Sequence, residues 1–563
     1  MNRRKGKSTL GDSASDFMAQ WKASQLATPS SDAESDRGST PNPGSQVSSQ
    51  TLRSWKRGGG EVKVTKGTST GYVKRQKKPG VSPPDKAADV PVPTPRLVTP
   101  GPPRNPPPDP TPITRSPVRQ RLLEASANVG DLRISAGMSR PRGIAELAPV
   151  VEAKDGRLAI LGLDFGTAFS KAVVRWSGRH YAVDWSDAVE GEDHHLLASV
   201  FSAAPDGRCV LGAHQASGWS VREGIKLQLL SSEEANMDGR MADAVIFIAL
   251  AFRYVNAWLR RTNHEFEQGL RWRLHVGLPT KSWDSDATTE TFKKVAQAAR
   301  VLACMAAPVT RSAALEALRM TDQVDRPAVD VFPEFACQLY SYLLSPERRE
   351  DLHALVDIGA GTLDVAYFNV FMEDGEALLP IFASEVDRLG AHHLIAALSG
   401  AEHRLVWSDS ESSLSDAEVG RKLDCSPNDV CNRRSLYLSS VAVVFHLATI
   451  AAKATYHTSP AFRGAENVRL FLCGGGSRIP SLQKRFERIA EEAPTVLGIK
   501  FQVSELVKPK DIVGKLSSGF DRLSVAYGLS QNAANIGSVM RSATLEPIAT
   551  SAAVEQEDRD ADR

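Results

Sequence analysis

The sequence has few of the features that mark secreted, zinc-binding or membrane-spanning proteins. Its six cysteines are scattered, without a CxxC pair or a spacing typical of metal ligands. No uninterrupted apolar run reaches the roughly 20 residues that a membrane helix needs, and no apolar segment follows the charged start MNRRKGKSTL. We therefore expect neither disulfides nor zinc, and we predict a cytoplasmic protein without a transmembrane segment.

Charge and proline are unevenly distributed along the chain. Residues 1–150 hold about 24 Lys and Arg against about 12 Asp and Glu, and about 20 of the 33 prolines. Because the whole chain is +2, this stretch is roughly +12 and the remainder roughly −10. So much proline and charge prevents a packed core, which predicts a disordered basic tail over residues 1–154. Its charge would suit an acidic protein, nucleic acid or an anionic surface as a partner, although a merely soluble linker is the alternative.

Beyond the tail, one scheme of elements occurs twice. LAILGLDF and AFSKAVVRW predict two strands joined by a glycine turn, and HALVDIGAGTLDVAYFNV predicts a second hairpin of the same kind. Each is followed by long apolar segments with helical spacing, such as ADAVIFIALAFRYVNAWLRR. The prediction is an α/β protein with one lobe over residues 155–345, another over 346–532, and a flexible C-terminal tail over 533–563.

Both hairpin turns have the chemistry of a phosphate site. In LDFGTAFSK and VDIGAGTLDV an apolar strand ends in Asp, and glycine and threonine follow. Glycine lets the backbone approach a phosphate and point its N–H groups at the oxygens, while Thr167 and Thr362 add hydroxyl donors. Asp164 and Asp357 are placed to hold Mg²⁺ through its waters. Two such turns predict a duplication that closes on one nucleotide.

A third glycine segment, FLCGGGSRIP, lies between a predicted strand and a predicted helix. Gly474, Gly475 and Gly476 would let the backbone pass flat against a base or ribose. We place Arg478 of the same segment among the cofactor contacts. Alone, the segment is equally well explained as a tight strand-to-helix turn, and the two hairpins favour the functional interpretation.

The order of LDFGTAFSK, VFPEFACQL, LVDIGAGTLDV and LFLCGGGSRIP resembles the nucleotide domain of the 70-kDa heat-shock chaperones. That family belongs to the actin-like and sugar-kinase ATPase superfamily, and the resemblance covers roughly residues 157–532. It implies a two-lobed actin-like ATPase fold, also called ribonuclease H-like, with a five-stranded sheet in each lobe and ATP and Mg²⁺ as cofactors. The chain ends about 30 residues after VAYGLS, so the resemblance does not extend to a peptide-binding domain.

The resemblance also implies roles for individual residues. Lys226 in REGIKLQLL matches the catalytic lysine, and Glu334 in FPEFA matches the glutamate that orients the attacking water. The implied catalytic set is Lys226, Glu334, Asp357 and Thr362, and the implied metal set is Asp164, Asp357 and Asp364. The implied cofactor contacts are Gly166, Thr167, Gly359, Gly361, Gly390, Glu418, Arg421, Lys422, Gly474, Gly475, Gly476 and Arg478. For Lys226 the alternative is a solvated surface lysine, and for EVGRKL, which contains Glu418, it is an exposed charged helix face.

Three positions depart from the family pattern. Ala168 replaces a second threonine, Ala360 replaces the middle glycine of the second turn, and Gly476 stands where a serine is usual. A methyl group at Ala360 is tolerated if φ stays negative. These departures predict slow hydrolysis with binding retained.

The leading functional prediction is an ATP-hydrolysing, heat-shock-like conformational switch whose state a partner protein reads through the lobes or the tail. The alternatives are a filament-forming actin-like protein, a pseudo-ATPase scaffold and a small-molecule kinase. A kinase would need an Asp base in the first lobe, for which the sequence offers no clear candidate. Nucleotide-dependent sedimentation would favour the filament.

Overall fold

The computed structural model describes residues 147–540, and all of them belong to one contact unit of the chain. Within this range the gaps fall at 189–192, 215, 232–235, 263–269, 284, 322–327, 374–375, 400–404, 406–412, 457–466, 515, 517–518, 534–535 and 537. The tail predicted over residues 1–154 lies outside the described residues up to 146. The predicted C-terminal tail lies outside them from 541 onwards.

The strands of the described residues, numbered in chain order, are β1 Glu152–Asp164, β2 Phe169–Trp176, β3 Arg179–Ala182, β4 Leu197–Ala198, β5 Phe201–Ala203, β6 Cys209–Leu211, β7 Ser220–Arg222, β8 Leu270–Leu278, β9 Val329–Pro333, β10 Leu352–Ile358, β11 Leu363–Asn369, β12 Phe371–Glu373, β13 Glu376–Asp387, β14 Val468–Cys473, β15 Phe501–Ser504, β16 Ile512–Val513 and β17 Ser538–Met540.

The α-helices of the same residues are α1 Ile225–Leu229, α2 Met237–Thr262, α3 Thr280–Trp283, α4 Asp286–Cys304, α5 Arg311–Met320, α6 Glu334–Leu343, α7 Ala391–Ser399, α8 Asp416–Leu423, α9 Pro427–Tyr456, α10 Pro480–Val496 and α11 Ser524–Leu529. Short 3-10 helices cover Gly475–Arg478 and Phe520–Arg522.

Two large sheets repeat one strand order. In the first, the order β3-β2-β1-β8-β9 combines an antiparallel hairpin meander with two parallel strands. In the second, β13-β11-β10-β14-β15 has the same directions. The predicted two-lobed α/β class with a five-stranded core sheet in each lobe is therefore confirmed. The sequence did not predict the additional edge strands or the small sheet β6-β5-β7.

Each lobe is built around a long apolar helix. Nearly all of the most apolar stretch of α2 is buried. This helix packs against α4 and α5 in the core of the first lobe. In the second lobe α9 lies on β11 and β13 and is about half buried. Both helices are long and apolar enough to cross a membrane by composition alone, but a core helix of a soluble domain has the same composition. The prediction of a cytoplasmic protein stays a prediction.

Two helices, α6 and α11, lie between the sheets. Phe335 of α6 and Val525 of α11 pack with Leu355 of the second sheet in one apolar cluster. On the other side, Tyr340 and Tyr527 pack with strands β2 and β3 of the first sheet. The two helices therefore form the packed connection between the lobes.

The chain after β15 returns to the first lobe. Strand β16 pairs in parallel with β3, and α11 packs on β1 and β2. The sequence placed these residues in the second lobe because linear order alone cannot show which sheet a late segment joins. Glycines permit the close contact, since a Cβ on Gly162 would overlap the backbone of Ala526, and one on Gly528 would overlap the carbonyl of Cys337.

The start of the fold is held by arginines. Arg253 of α2, which is buried, donates to the carbonyl oxygens of Leu147 and Ala303, at 3.2 and 3.1 Å. Arg300 of α4 forms an ion pair of 2.7 Å with Glu152. Strand β1 therefore begins at Glu152, a few residues before the predicted start of the first lobe.

The helix crossing gives a test of the connection between the lobes. Gly528→Ala should lower the free energy of unfolding by about 1–3 kcal/mol, because the new methyl group forces α11 away from α6. The measurement is denaturant unfolding followed by tryptophan fluorescence. Gly475→Ala is the matched control, since a Cβ there has no atom within 4 Å. Equal losses in both variants would contradict a tight crossing.

Candidate functional site

The first glycine turn joins β1 to β2 and is held by a serine pair. Ser199 Oγ donates to the carbonyl of Gly166 at 2.7 Å, and Ser170 Oγ lies 2.9 Å from Ser199 Oγ. A Cβ on Gly166 would overlap the carbonyl of Phe169, so the tight turn requires glycine. The turn leaves Asp164, at the end of β1, facing the interior of a cleft.

The second turn joins β10 to β11 and is supported by α7. The N–H of Gly359 donates to the carbonyl of Thr362 at 2.9 Å. The N–H groups of Ala391 and His392 donate to the carbonyls of Gly359 and Ala360, both at 2.9 Å. Gly390 supports this turn by contact, because a Cβ there would overlap the carbonyl of Ala360. Gly390 is not among the cleft-lining residues in the described part of the chain.

The two turns meet across one cleft. Asp164, Thr167, Asp357 and Thr362 all line it, as the convergence of the two hairpins requires. A Cβ on Gly361 would lie 3.2 Å from Thr167 Cγ2, so the turns are almost in contact. The enclosed volume is about 110 Å³, below the roughly 300–1,000 Å³ of small-molecule pockets. The lobes are therefore close together here, and a nucleotide could enter only if they separate.

Lys226 and Glu334 meet in the cleft. Lys226 Nζ lies 2.6 Å from Glu334 Oε1, and both side chains are mostly buried. Lys226 lies on the short helix α1, and Glu334 is the first residue of α6, directly after β9. Gly277 of β8 makes room for Glu334, since a Cβ there would lie 2.7 Å from Glu334 Cγ. The interpretation of Lys226 as a solvated surface lysine is therefore wrong.

The third glycine segment, Gly474 to Gly476, lines the cleft next to β10. Gly474 has φ +76°, and a Cβ there would overlap Asp357 Oδ1. A Cβ on Gly476 would overlap Ile358, whereas one on Gly475 would have no atom within 4 Å. Glycine at 474 and 476 thus lets this segment pack on β10, and Gly475 borders the open part of the cleft.

The charge in the cleft is predominantly negative. The carboxylates that line it are Asp164, Glu334, Asp357, Asp364 and Asp521, and the cations are Lys171, Lys226 and Arg522. Burial lowers the pKa of Lys226, but the carboxylates of Glu334, Asp164 and Asp364 more than offset this, so its pKa is raised and the ammonium stays charged. Burial raises the pKa of Asp357, and the ammonium of Lys171 opposes that shift.

The carboxyl of Asp364 has a strongly raised pKa. Burial, reinforced by the negative charges of Asp357 and Glu334, raises its pKa to about 8. Thr362 Oγ1 lies 3.4 Å from Asp364 Oδ2. The other oxygen, Oδ1, is buried and has no hydrogen-bond partner within residues 147–540 as described. At neutral pH this carboxyl is therefore mostly protonated until a cation approaches.

The donor set suits Mg²⁺ held partly through water. Two oxygens of the cleft, Asp364 Oδ1 and Gln338 Oε1, are buried without hydrogen-bond partners in the described part of the chain. No three acidic, histidine or cysteine side chains of that part form a ready-made metal cage. Mg²⁺ keeps several waters and binds through one or two carboxylates plus phosphate oxygens, so the incomplete cage is compatible with it.

Four polar residues among those that the structure describes as lining the cleft were missed by the sequence analysis. Lys171 is the cross-strand partner of Asp164, and its Nζ lies 2.8 Å from Asp164 Oδ2. Gln338 lies one turn after Glu334 on α6, and its amide donates to Asp357 Oδ2 at 3.2 Å. Hairpin register and the i, i+4 spacing of a helix were available signals for these two. Nothing local in the sequence indicated the remaining pair, Asp521 and Arg522.

The predicted base contacts are placed elsewhere. Glu418 is exposed and caps α8, because its carboxylate accepts from Ser415 N at 2.7 Å, and those hydrogen bonds lower its pKa. Arg421 and Lys422 follow in the last turn of α8. None of the three is among the described residues that line the cleft. Capping accounts for Glu418 without any ligand.

The guanidinium of Arg478 is paired with a carboxylate of the protein. Its guanidinium forms a bidentate pair with Asp521, with nitrogen–oxygen distances of 2.9 and 2.8 Å. Asp521 lines the cleft and Arg478 does not. Arg478 thus reaches the cleft through Asp521, and its predicted contact with the cofactor stays a prediction.

Comparisons with known proteins add little to this geometry. No protein-family model matches the sequence, and no curated protein matches it. Among solved structures, MreB5 of Spiroplasma citri bound to ADP is 12% identical with a TM-score of 0.37. The same protein bound to AMPPNP is 13% identical with a TM-score of 0.38. Each comparison covers 67% of this chain and 95% of the other.

Such low similarity carries no weight by itself, and the fold assignment rests on the strand order of the two sheets. That order is the two-lobed arrangement expected of an actin-like ATPase. The narrower resemblance to the heat-shock chaperones finds no support in these comparisons.

The pKa of Asp364 predicts a pH-dependent stability. An unfolded Asp loses its proton near pH 3.9, whereas folded Asp364 keeps it to about pH 8, so this group costs stability as pH rises between the two. Asp364→Asn removes the cost. Its gain over wild type should grow by about 1.4 kcal/mol per pH unit between about pH 5 and pH 8 and then level off. Urea unfolding at several pH values measures it.

The control for this series is Glu290→Gln, which changes an exposed carboxylate on α4. Its effect on the free energy of unfolding should stay constant over the same pH range. A gain for Asp364→Asn that does not change with pH would show that the carboxyl is ionised in the folded protein.

Proposed function

We propose that this chain binds ATP with Mg²⁺ between its two glycine turns and hydrolyses it. The observation that carries the proposal is the convergence of the two hairpins, with Asp164 and Asp357 on one cleft beside the Lys226–Glu334 pair. A purely structural explanation would have to account for this many buried charges without a ligand, which is unfavourable.

The backbone and hydroxyl groups of the turns would hold the phosphates. Gly166 and Gly359 line the cleft and let the backbone of each turn approach a phosphate closely, and Thr167 and Thr362 add hydroxyl donors. The ammonium of Lys171, paired with Asp164, adds positive charge at the first turn. A polyanion entering this acidic cleft must bring cations with it, so binding should depend on Mg²⁺.

Lys226 and Glu334 are suited to two different tasks in hydrolysis. The Lys226 ammonium can turn from Glu334 to the transferring phosphoryl group, where negative charge spreads over the oxygens in the transition state. Glu334, released from the ion pair, can orient a water and accept its proton. Gln338, on the same face of α6, keeps Asp357 in position. The residues that would hold Mg²⁺ are Asp164, Asp357 and Asp364, and the ion would neutralise phosphate charge.

Opening and closing of the lobes would make the protein a switch. The closed cleft of about 110 Å³ requires the lobes to part for exchange of the nucleotide. A partner that prefers one arrangement would then respond to ATP. In this proposal the partner of the heat-shock-like ATPase docks on the lobes or on the basic tail.

The catalytic claim is tested by Lys226→Ala. We expect phosphate release from ATP to fall by about 100-fold or more, because the variant lacks the charge that stabilises the transition state. The measurement is single-turnover phosphate release, with ATP affinity measured separately by calorimetry. Lys293→Ala, which changes a half-exposed lysine on α4, is the control. Equal phosphate release by wild type and Lys226→Ala would remove the catalytic role and leave a pseudo-ATPase.

The switch is tested by affinity capture from a cell extract with and without ATP. Full-length chain and a version that starts at Leu147 serve as baits, since Leu147 is where the anchored part of the chain begins. We expect a partner whose capture depends on ATP. Loss of that partner from the shorter bait assigns it to the tail, and retention assigns it to the lobes. A set of captured proteins that is the same with and without ATP would contradict the switch.

A further inference from the structure

A second cavity lies in the first lobe, away from the nucleotide cleft. It is enclosed by the small sheet of β5, β6 and β7, by α2 and by the start of α5. Its volume is about 330 Å³, against about 110 Å³ for the cleft, and the two share no lining residue among the described ones. This volume is within the range of small-molecule pockets.

Two guanidinium groups and one buried carboxylate give the cavity its charge. Arg311 Nη1 lies 3.3 Å from Asp243 Oδ1, and the Asp243 side chain is 10% exposed. Burial raises the pKa of Asp243, and Arg311 and then Arg222 oppose that shift, so both guanidinium groups lie near this carboxylate. The second carboxylate of the lining, Asp206, is paired with Arg208 at 2.6 Å. One positive charge is therefore left unbalanced.

Arg222 carries the unbalanced charge. It lies on β7, it is exposed and lines the cavity, and within the described residues its side chain forms no hydrogen bond or ion pair. Its position in the strand faces the cavity together with Ser220, two residues earlier, as the period of a β-strand requires. A carboxylate or phosphate between Arg222 and Arg311 would be held by charge-assisted hydrogen bonds.

Hydroxyl groups and an apolar wall complete the lining. Ser220, Thr310 and Ser312 border the cavity, and Thr310 caps α5 by accepting from Ala313 N at 3.2 Å. Phe201, the cross-strand partner of Arg222, and Ile246 also line the cavity. The lining thus offers cationic and hydroxyl groups to one end of a ligand and an apolar surface to its body.

The geometry points to a binding site for a small organic anion, a compact apolar body that carries one phosphate or carboxylate group. Arg222 and Arg311 bind the anionic group, Asp243 holds Arg311 in position, and Phe201 and Ile246 pack on the body. This site is independent of ATP binding. Inorganic phosphate alone would use the charged end and leave the apolar wall unused.

Phenyl phosphate is a suitable probe, with phenol as the uncharged comparison. Calorimetry on the full-length protein should show saturable binding of phenyl phosphate and none of phenol. Arg222→Ala should weaken binding by about tenfold or more, equivalent to about 1.4 kcal/mol. Arg271→Ala should leave the affinity unchanged, since this exposed arginine of β8 is not among the cavity-lining residues that the structure describes. Hydrogen exchange should also slow at residues 220–222 and 310–313 when the probe is added.

The nucleotide cleft is also able to attract a phosphate, and Lys226→Ala separates the two sites. Binding to the second cavity should be the same in Lys226→Ala as in wild type. Three results would overturn the proposal: no saturable binding to wild type, equal weakening by Arg222→Ala and Arg271→Ala, or loss of binding in Lys226→Ala. None of them would bear on ATP binding in the cleft.

Discussion

The nearness of two glycine turns in the middle of the molecule constrains most of what surrounds them. Thr167 and Gly361 are so close that a Cβ added to Gly361 would lie 3.2 Å from Thr167 Cγ2. This approach gathers Asp164, Asp357 and their neighbours into a space with little water, and their mutual repulsion has to be offset by Lys171 and Lys226. The same repulsion favours the binding of cations in the cleft, together with the anions that accompany them.

Both hairpins and their apolar strands could be predicted from the sequence, because each is a local pattern. Their duplication suggested two lobes, and Lys226 was found only through a short resemblance in REGIKLQLL.

Long-range features could not be predicted in this way. Strand β16, Ile512–Val513, joins a sheet whose other strands all lie between Glu152 and Pro333, and Asp521 enters the cleft by the same return of the chain. Glu418 was misleading because a capping glutamate and a ligand-binding one look alike in sequence.

One short segment of the first lobe contributes a charged residue to the second cavity and another to the nucleotide cleft. Strand β7 carries Arg222 to the second cavity, and Lys226 enters the nucleotide cleft four residues later in the sequence. Between them Gly224 adopts φ +65°, a conformation that favours glycine and fixes the direction of α1. The charge that faces the second cavity and the charge that faces the phosphates thus belong to one continuous segment.

Strand β1 also has a mechanical consequence. It is 13 residues long, so it extends about 40 Å from its anchored start to Asp164. A force applied to the chain before Leu147 would meet Arg253 and the Arg300–Glu152 pair first. A force that exceeded the strength of these contacts would act along the axis of β1. The hydrogen bonds of β1 to β2 and β8 would then resist it together, in shear. Tension on the tail would therefore be transmitted along β1 to Asp164, one of the carboxylates of the cleft.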